Sequence, residues 1–394
     1  MTSPSIVIVG AMRTPIGNFL GELQTFTAPQ LGGHAIQATL ANTSVTPEDV
    51  DAVIMGCVLP AGLGQAPARQ ASFQGGLPQK TACTTMNKMC GSGMQAVILA
   101  HDALLANSHR IMVAGGMESM SNAPYLLPKA RTGYRLGHQT CIDHMLYDGL
   151  EDAYQRGQSM GVFADITAKE FHISRETQDE FAIRSVERAK AAMAQGAAFN
   201  GIAPITVRQK TGEVTIDSDE GPRTARVEKI PQLKASFTKD GSVTPANASS
   251  ISDGAAALLL MKEEEAAARH LKPLARIVAH HVHAQAPEWF TTAPVGAIQG
   301  LLKKTGWQIE DVDLFEINEA FAIVTLVTQQ ELNIPLEKIN ILGGACVMGH
   351  PIGATGARIL VTLIHALQWK GLKRGIAALC IGGGEATAMG IELL

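Results

Sequence analysis

An α/β fold made of two similar halves is predicted by three features of the sequence. These are an ordered internal repeat, apolar strand-like runs alternating with amphipathic helical stretches, and a different texture between the repeated blocks. Glu48-Asp-Val-Asp51 returns as Glu310-Asp-Val-Asp313, each followed by an apolar stretch. Gly93-Met-Gln-Ala-Val-Ile-Leu-Ala-His-Asp-Ala-Leu104 resembles Gly356-Ala-Arg-Ile-Leu-Val-Thr-Leu-Ile-His-Ala-Leu367. Ile111-Met-Val-Ala-Gly-Gly-Met-Glu118 resembles Ala377-Ala-Leu-Cys-Ile-Gly-Gly-Gly-Glu385. Chance can give one such match; three in order, at similar offsets, point to related halves.

Each half reads alike. An apolar strand follows the acidic block, then a Gly-rich turn, an amphipathic helix, and a second apolar strand ending in glycines. This alternation calls for helix-covered sheets, and packing the halves together sets their equivalent turns across one cleft. The short β-branched run Ile6–Val9 reads as a buried strand. From Ser121 to Ser249 the texture changes, with Pro124, Pro128, Gly133 and Gly137. A helix is expected over Thr177–Gln195, opened by Thr177 and Glu180 and stopped by Gly196, with an apolar stripe at Phe181, Val186, Ala189 and Met193. The stretch 208–239 is polar and charged. The expected division is 1–120 with 250–270 as the first half, 121–249 as an inserted loop domain over the cleft, and 271–394 as the second half. Asp253–Met261 is a buried strand returning to the first half, and Glu263–Arg269 is helical in composition.

A chain of 394 residues is too long for one ordinary core, and 46% apolar with 17% charged residues is enough to bury a large interior. A net charge of −4 without a long basic run argues against nucleic acid or an anionic membrane as partner. The start, Met1-Thr-Ser-Pro-Ser-Ile-Val-Ile-Val-Gly10, lacks a secretory pattern, and no apolar run approaches membrane-spanning length. Cys57, Cys83, Cys90, Cys141, Cys346 and Cys380 lie far apart with no C-x-x-C pair. A disulfide framework or structural zinc is not expected, and a reducing, cytoplasmic setting is.

Cys90 sits in Asn87-Lys-Met-Cys-Gly-Ser-Gly-Met94, ahead of a helix over Met94–Leu105. A helix N-terminus favours a thiolate, and Gly91 and Gly93 permit a sharp turn that exposes the sulfur. A thiolate also suits thioester exchange, which trades one sulfur ester for another. The alternative is an inert, packed cysteine. His350, in Gly349-His-Pro-Ile-Gly-Ala-Thr-Gly356 before a helix over Ala357–Leu367, is the second-half counterpart of that turn. It can take the Cys90 proton, although a single histidine is more often structural. Cys380 ends a strand over Ile376–Leu379 and opens Cys380-Ile-Gly-Gly-Gly-Glu385, whose N–H groups can cradle an oxyanion. A packed strand-end thiol is the plain alternative. Asn318, after an apolar strand, either holds an oxygen or caps the following helix.

Competing motifs fare poorly. Gly91-Ser-Gly-Met-Gln-Ala96 matches a dinucleotide fingerprint, but Thr84-Thr-Met-Asn-Lys88 makes a poor first strand. His280, His281 and His283 lack a nearby carboxylate or cysteine in sequence, so no metal site is expected there. Arg131, Arg135, Arg223 and Arg226 are surface charges, of which one or two can meet a phosphate.

Taken together, Asn87–Gly93, Gly115-Gly-Met-Glu-Ser119, Asn247-Ala-Ser-Ser-Ile-Ser-Asp-Gly254, Asn318-Glu-Ala-Phe-Ala322, Gly349–Gly356 and Cys380–Gly384 resemble the thiolase family over essentially the whole chain. The resemblance implies a five-layered αβαβα thiolase fold with an inserted loop domain, assembled as a dimer or tetramer. It implies Cys90 as the acylated nucleophile, His350 as its activator and Cys380 as acid/base at the substrate α-carbon. Asn318, through a water, and His350 would form one oxyanion site, and the N–H groups of Cys90 and Gly382 the other. Ser249, Phe237, Met160, Phe321 and Arg223 would line the coenzyme A site. The implied reaction joins two acetyl-CoA into acetoacetyl-CoA, or reverses this by thiolysis, with coenzyme A thioesters as substrates and no metal or redox cofactor. Degradation of longer 3-ketoacyl-CoA, a decarboxylating ketoacyl synthase and a non-catalytic acyl-CoA or lipid carrier are the alternatives. Ser159 stands where acetyl-CoA-condensing members often carry histidine, which leaves chain length open.

Overall fold

In a computed structural model the structure describes residues 4–197, 201–209 and 212–394. Residues 1–3 of the N-terminal reading, and 198–200 and 210–211 of the insertion, lie outside these. The first half supplies strands β1 (Ile6–Arg13), β2 (Ala52–Gly56), β3 (Ala82–Met86), β4 (Ile111–Ser119) and β5 (Ser252–Lys262). The second supplies β6 (Ala275–Ala284), β7 (Leu314–Ile317), β8 (Arg374–Ile381) and β9 (Glu385–Leu393). They form one hydrogen-bonded sheet in the order β7-β8-β9-β6-β1-β5-β4-β2-β3. Read outward from the centre, β1-β5-β4-β2 in one half mirrors β6-β9-β8-β7 in the other. The halves join where Ile6–Ile8 pairs with Ala275–Ile277, so the sheet runs on from one half into the other. β2 runs parallel to β3 and β4, and β7 to β8; the remaining neighbours are antiparallel.

Five layers result. Helices α1 (Ala28–Ala41) and α2 (Pro67–Gln74) cover the outer face of the first half over an apolar cluster including Leu31, Ile36, Val53 and Leu259. Helix α3 (Ser92–Leu105) lies inside the fold, packed on β2, β4 and β5. The insertion between β4 and β5 carries α4 (Met160–Glu170) and α5 (Arg175–Ala194). In the second half α6 (Ala293–Thr305) covers the outer face of β6, β8 and β9, with Leu301 and Trp307 in its core. Helix α7 (Ala322–Leu332) packs against α4 and α5, so the insertion rests on the second half. Helix α8 (Thr355–Lys370) completes the central layer against α3. Strands β1, β4 and β5 are buried along nearly their whole length, as expected of strands paired on both sides inside such a stack.

Three local expectations change. Helix α5 begins at Arg175 because Ser174, not Thr177, caps it: the Ser174 hydroxyl accepts the Thr177 N–H at 3.2 Å. Ala82–Met86 is a strand after all, a half-exposed edge whose central Thr84 and Thr85 break any apolar run. The strand carrying Cys380 runs on through Ile381, so the cysteine lies inside the ladder and the turn begins at Gly382.

Candidate active site

The nucleophile turn is held by short side-chain bonds. Asn87 Oδ1 accepts the Met89 N–H at 2.9 Å, and Ser92 Oγ accepts from the Lys88 N–H at 2.8 Å while donating to the Met89 carbonyl at 2.6 Å. Left-handed backbone falls on Met89, with φ of 47°, rather than on a glycine. Gly91 is right-handed; a Cβ there would press on the Ile381 side chain at the end of β8. Lys88 pairs with Glu385, which tethers this turn to the residue after the Gly382–Gly384 turn.

The His350 loop approaches from the other half. Its Gly353 sits so close to β4 that a Cβ on Gly116 would overlap the Gly353 carbonyl. Glu118, fully buried, accepts N–H bonds from Val58 (2.9 Å), Leu59 (3.1 Å) and Gly353 (2.9 Å), joining loops of both halves. Burial outweighs these bonds and pushes its carboxyl up to about 7.

Cys90, His350 and Gly382 line one cavity of about 480 Å³. The N–H groups of Gly382 and of Cys90 itself stabilise the sulfur, yet burial is the larger effect and pushes the thiol up to about 11. The expected helix-dipole thiolate is therefore not the resting form, because desolvation opposes it. Burial, with Arg358 adding to it, lowers His350 to about 3, so this imidazole is neutral. A neutral thiol and a neutral imidazole thus share the cavity. Cys380 is fully buried, and burial, with the nearby Cys90 sulfur adding to it, holds its thiol well up. Asn318 does not cap α7, whose N-cap is Phe321. Its Oδ1 accepts from Arg358 at 3.2 Å, and Arg358 also pairs with Glu316 at 3.1 Å. The amide is thereby oriented, leaving Asn318 Nδ2, like His350 Nε2, without a hydrogen-bond partner among the described residues.

Ser249, Phe237, Met160 and Phe321 also line the cavity, and the Phe237 and Phe321 rings meet edge to face at 6.0 Å. Arg223 does not; it pairs with Glu22. Arg226 and Lys229 instead line an adjoining groove of about 280 Å³, which shares Pro245 and Ser250 with the cavity. Sequence reasoning missed the apolar liners Leu146, Leu150, Phe290 and Ile352. Nothing marks Leu146 and Leu150 in sequence, since they lie on a π-helical turn, Met145–Leu150. His281 and His283 pack toward α6, where Gly300 and Gly296 leave room for their rings. His280 meets a carboxylate that sequence distance concealed: Asp102 Oδ1 lies 3.1 Å from His280 and 2.9 Å from His101. These three satisfy one another by hydrogen bonding.

A cysteine and a histidine from equivalent turns of a duplicated α/β fold share one cavity with backbone N–H groups beside the sulfur, an arrangement suited to acyl transfer. The N-terminal domain of the thiolase family matches residues 6–264 and its C-terminal domain residues 271–393. The chain is 47% identical over 389 residues to an acetyl-CoA acetyltransferase of Chromobacterium violaceum, covering 98% of this chain and 99% of that one. It is 48% identical over 392 residues to acetyl-CoA acetyltransferase 1 of Arabidopsis thaliana, covering 99% and 94%. A probable acetyl-CoA acyltransferase of Staphylococcus aureus is 43% identical over 385 residues, covering 97% and 98%. The chain belongs to the thiolase family.

Proposed function

We propose that this protein is an acetyl-CoA C-acetyltransferase working by ping-pong acyl transfer. The observation that carries the reading is the meeting of Cys90, His350 and the Gly382 N–H in one largely apolar cavity. The Cys90 sulfur attacks the acetyl-CoA carbonyl while its proton passes to His350 and on to the leaving coenzyme A sulfur. The C–S bond to coenzyme A breaks as that to Cys90 forms. The N–H groups of Cys90 and Gly382 hold the transient oxyanion. Cys380 then passes its own proton to His350 Nε2, a second acetyl-CoA gives a methyl proton to the resulting Cys380 thiolate, and the enolate oxygen is held by the His350 Nε2–H and a water on Asn318. The carbanion attacks acetyl-Cys90, the C–C bond forms as the C–S bond breaks, and the Cys90 sulfur regains its proton from His350 while Cys380 keeps the methyl proton it took. Thiolysis of acetoacetyl-CoA is the reverse. Every step balances without an electron acceptor or metal, so no cofactor beyond the thioesters is assigned.

The pantetheine arm runs past Phe237, Phe321, Met160 and Ser249, and the nucleotide phosphates meet Arg226 and Lys229 in the adjoining groove, where exposed cations suit them. The half-exposed edge strand β3 supports pairing between copies, hence a homo-oligomer, dimer or tetramer. No helix among the described residues is long and apolar enough to cross a membrane, and six unpaired cysteines suit a reducing cytoplasm. Thiolysis of acetoacetyl-CoA measured beside longer 3-ketoacyl-CoAs tests the assignment. Preference for acetoacetyl-CoA is expected; preference for long chains would instead make the enzyme degradative.

A further inference from the structure

We propose that Thr355 is a positioning residue that fixes the His350 tautomer, holding the proton on Nδ1 and leaving the Nε2 lone pair for Cys90. The proposal rests on the reading of His350 as the base that takes the Cys90 proton. His350 Nδ1 lies 2.6 Å from Thr355 Oγ1, and both residues are buried. A hydroxyl has one hydrogen to give and two lone pairs with which to accept. Thr355 opens α8, and its Oγ1 lies 3.0 Å from the Pro351 carbonyl, four residues back. That carbonyl is an acceptor only. Helical threonines commonly direct their hydroxyl hydrogen to this position, sharing the carbonyl with backbone N–H groups. Here Ala354 and Thr355 supply those N–H groups at 2.9 and 3.0 Å.

With its hydrogen on Pro351, Oγ1 faces Nδ1 as an acceptor, so Nδ1 carries the imidazole proton. Nε2 is then a lone pair, and it has no partner among the described residues. The opposite arrangement, with Thr355 donating to Nδ1, would put a proton on Nε2. That would aim an N–H donor into the cavity and remove the imidazole lone pair able to accept from the thiol. Neither neutral tautomer is fixed by sequence distance from Cys90; the five-residue step from His350 to Thr355 decides between them.

The test compares Thr355→Val, Thr355→Ser and His350→Ala by rapid-quench intact-mass detection of the acetyl adduct. Thr355→Val, nearly the same shape, is expected to slow acylation about 10- to 100-fold, the usual cost of losing a group that orients a functional histidine. KM for acetyl-CoA should move less than about threefold, and Thr355→Ser should return most of the rate. If His350→Ala fails to acylate while Thr355→Val acylates at the parental rate, the tautomer proposal is overturned and the base assignment stands. If His350→Ala itself acylates normally, the base assignment fails and the proposal with it. Nitrogen-15 histidine spectra of the unaltered protein give a reading that needs no variant: His350 protonated on Nδ1 supports the proposal, and protonation on Nε2 overturns it.

Discussion

Gly93 and Gly356, equivalent positions in the two repeats, face each other across the central helix layer. A Cβ on Gly93 would lie 2.7 Å from the Ala357 nitrogen, and one on Gly356 would press still closer on the Met94 nitrogen. Two helix N-termini can meet so closely only without side chains there, and this contact sets the Cys90 and His350 turns around one cavity. Because backbone atoms are in the way, Gly356→Ala is expected to cost about 1–3 kcal/mol. Denaturant melts should show this as a lower midpoint, together with slower acylation of Cys90.

The reactivity of Cys90 should rise with pH well beyond the range of an ordinary thiol. Only the thiolate is alkylated, and with its thiol pushed up to about 11 the thiolate fraction grows about tenfold per pH unit below that value. Inactivation by iodoacetamide should still be accelerating between about pH 8 and 10, as the thiol's position dictates. A plateau near neutral pH would mean that the helix dipole outweighs burial. His350, lowered to about 3, should contribute no step to this profile at any higher pH.

Arg358 lies between Glu316 and Asn318 with almost no exposure. Removing one member of such a buried pair strands the other, so Arg358→Met should cost about 3–5 kcal/mol. Adding Glu316→Leu should recover much of that stability. Condensation should not recover with it, because the Asn318 amide has lost its guide. Thermal melts and turnover of the single and double variants separate the two effects.

Phosphate recognition should follow the groove rather than the surface ion pair. Lys229→Gln and Arg226→Gln are expected to raise KM for acetyl-CoA severalfold with kcat nearly unchanged, and to weaken its dependence on salt. Arg223→Gln, whose side chain is engaged by Glu22, should change KM much less. Steady-state kinetics at two ionic strengths check this.

Much of the architecture could be read from repetition. The acidic blocks, the glycine turns and the strands ending in glycines are local patterns, and duplicated patterns pack in mirrored order. What stayed hidden depends on distance or on competing forces. The edge strand Ala82–Met86 is only half-buried, so it needs no apolar run. The T-x-x-E signal at Thr177 lost to Ser174 because the chain had already entered the helix. Asp102 and His280 are neighbours only through the fold. Cys90 was correctly located as a turn residue, but the degree to which burial overrides the helix dipole depends on atoms from the other half. Arg223 resembled a phosphate contact until Glu22, far along the chain, took it.

The central claim is that Cys90 carries the acyl group and Cys380 moves the α-proton. Cys380→Ser, given acetyl-CoA and followed by intact mass and by acetoacetyl-CoA formation, tests it most directly. The account predicts an acetylated Cys90 that barely forms the new carbon–carbon bond, with no adduct at all when Cys90→Ala is added. Near-parental condensation by Cys380→Ser would contradict it.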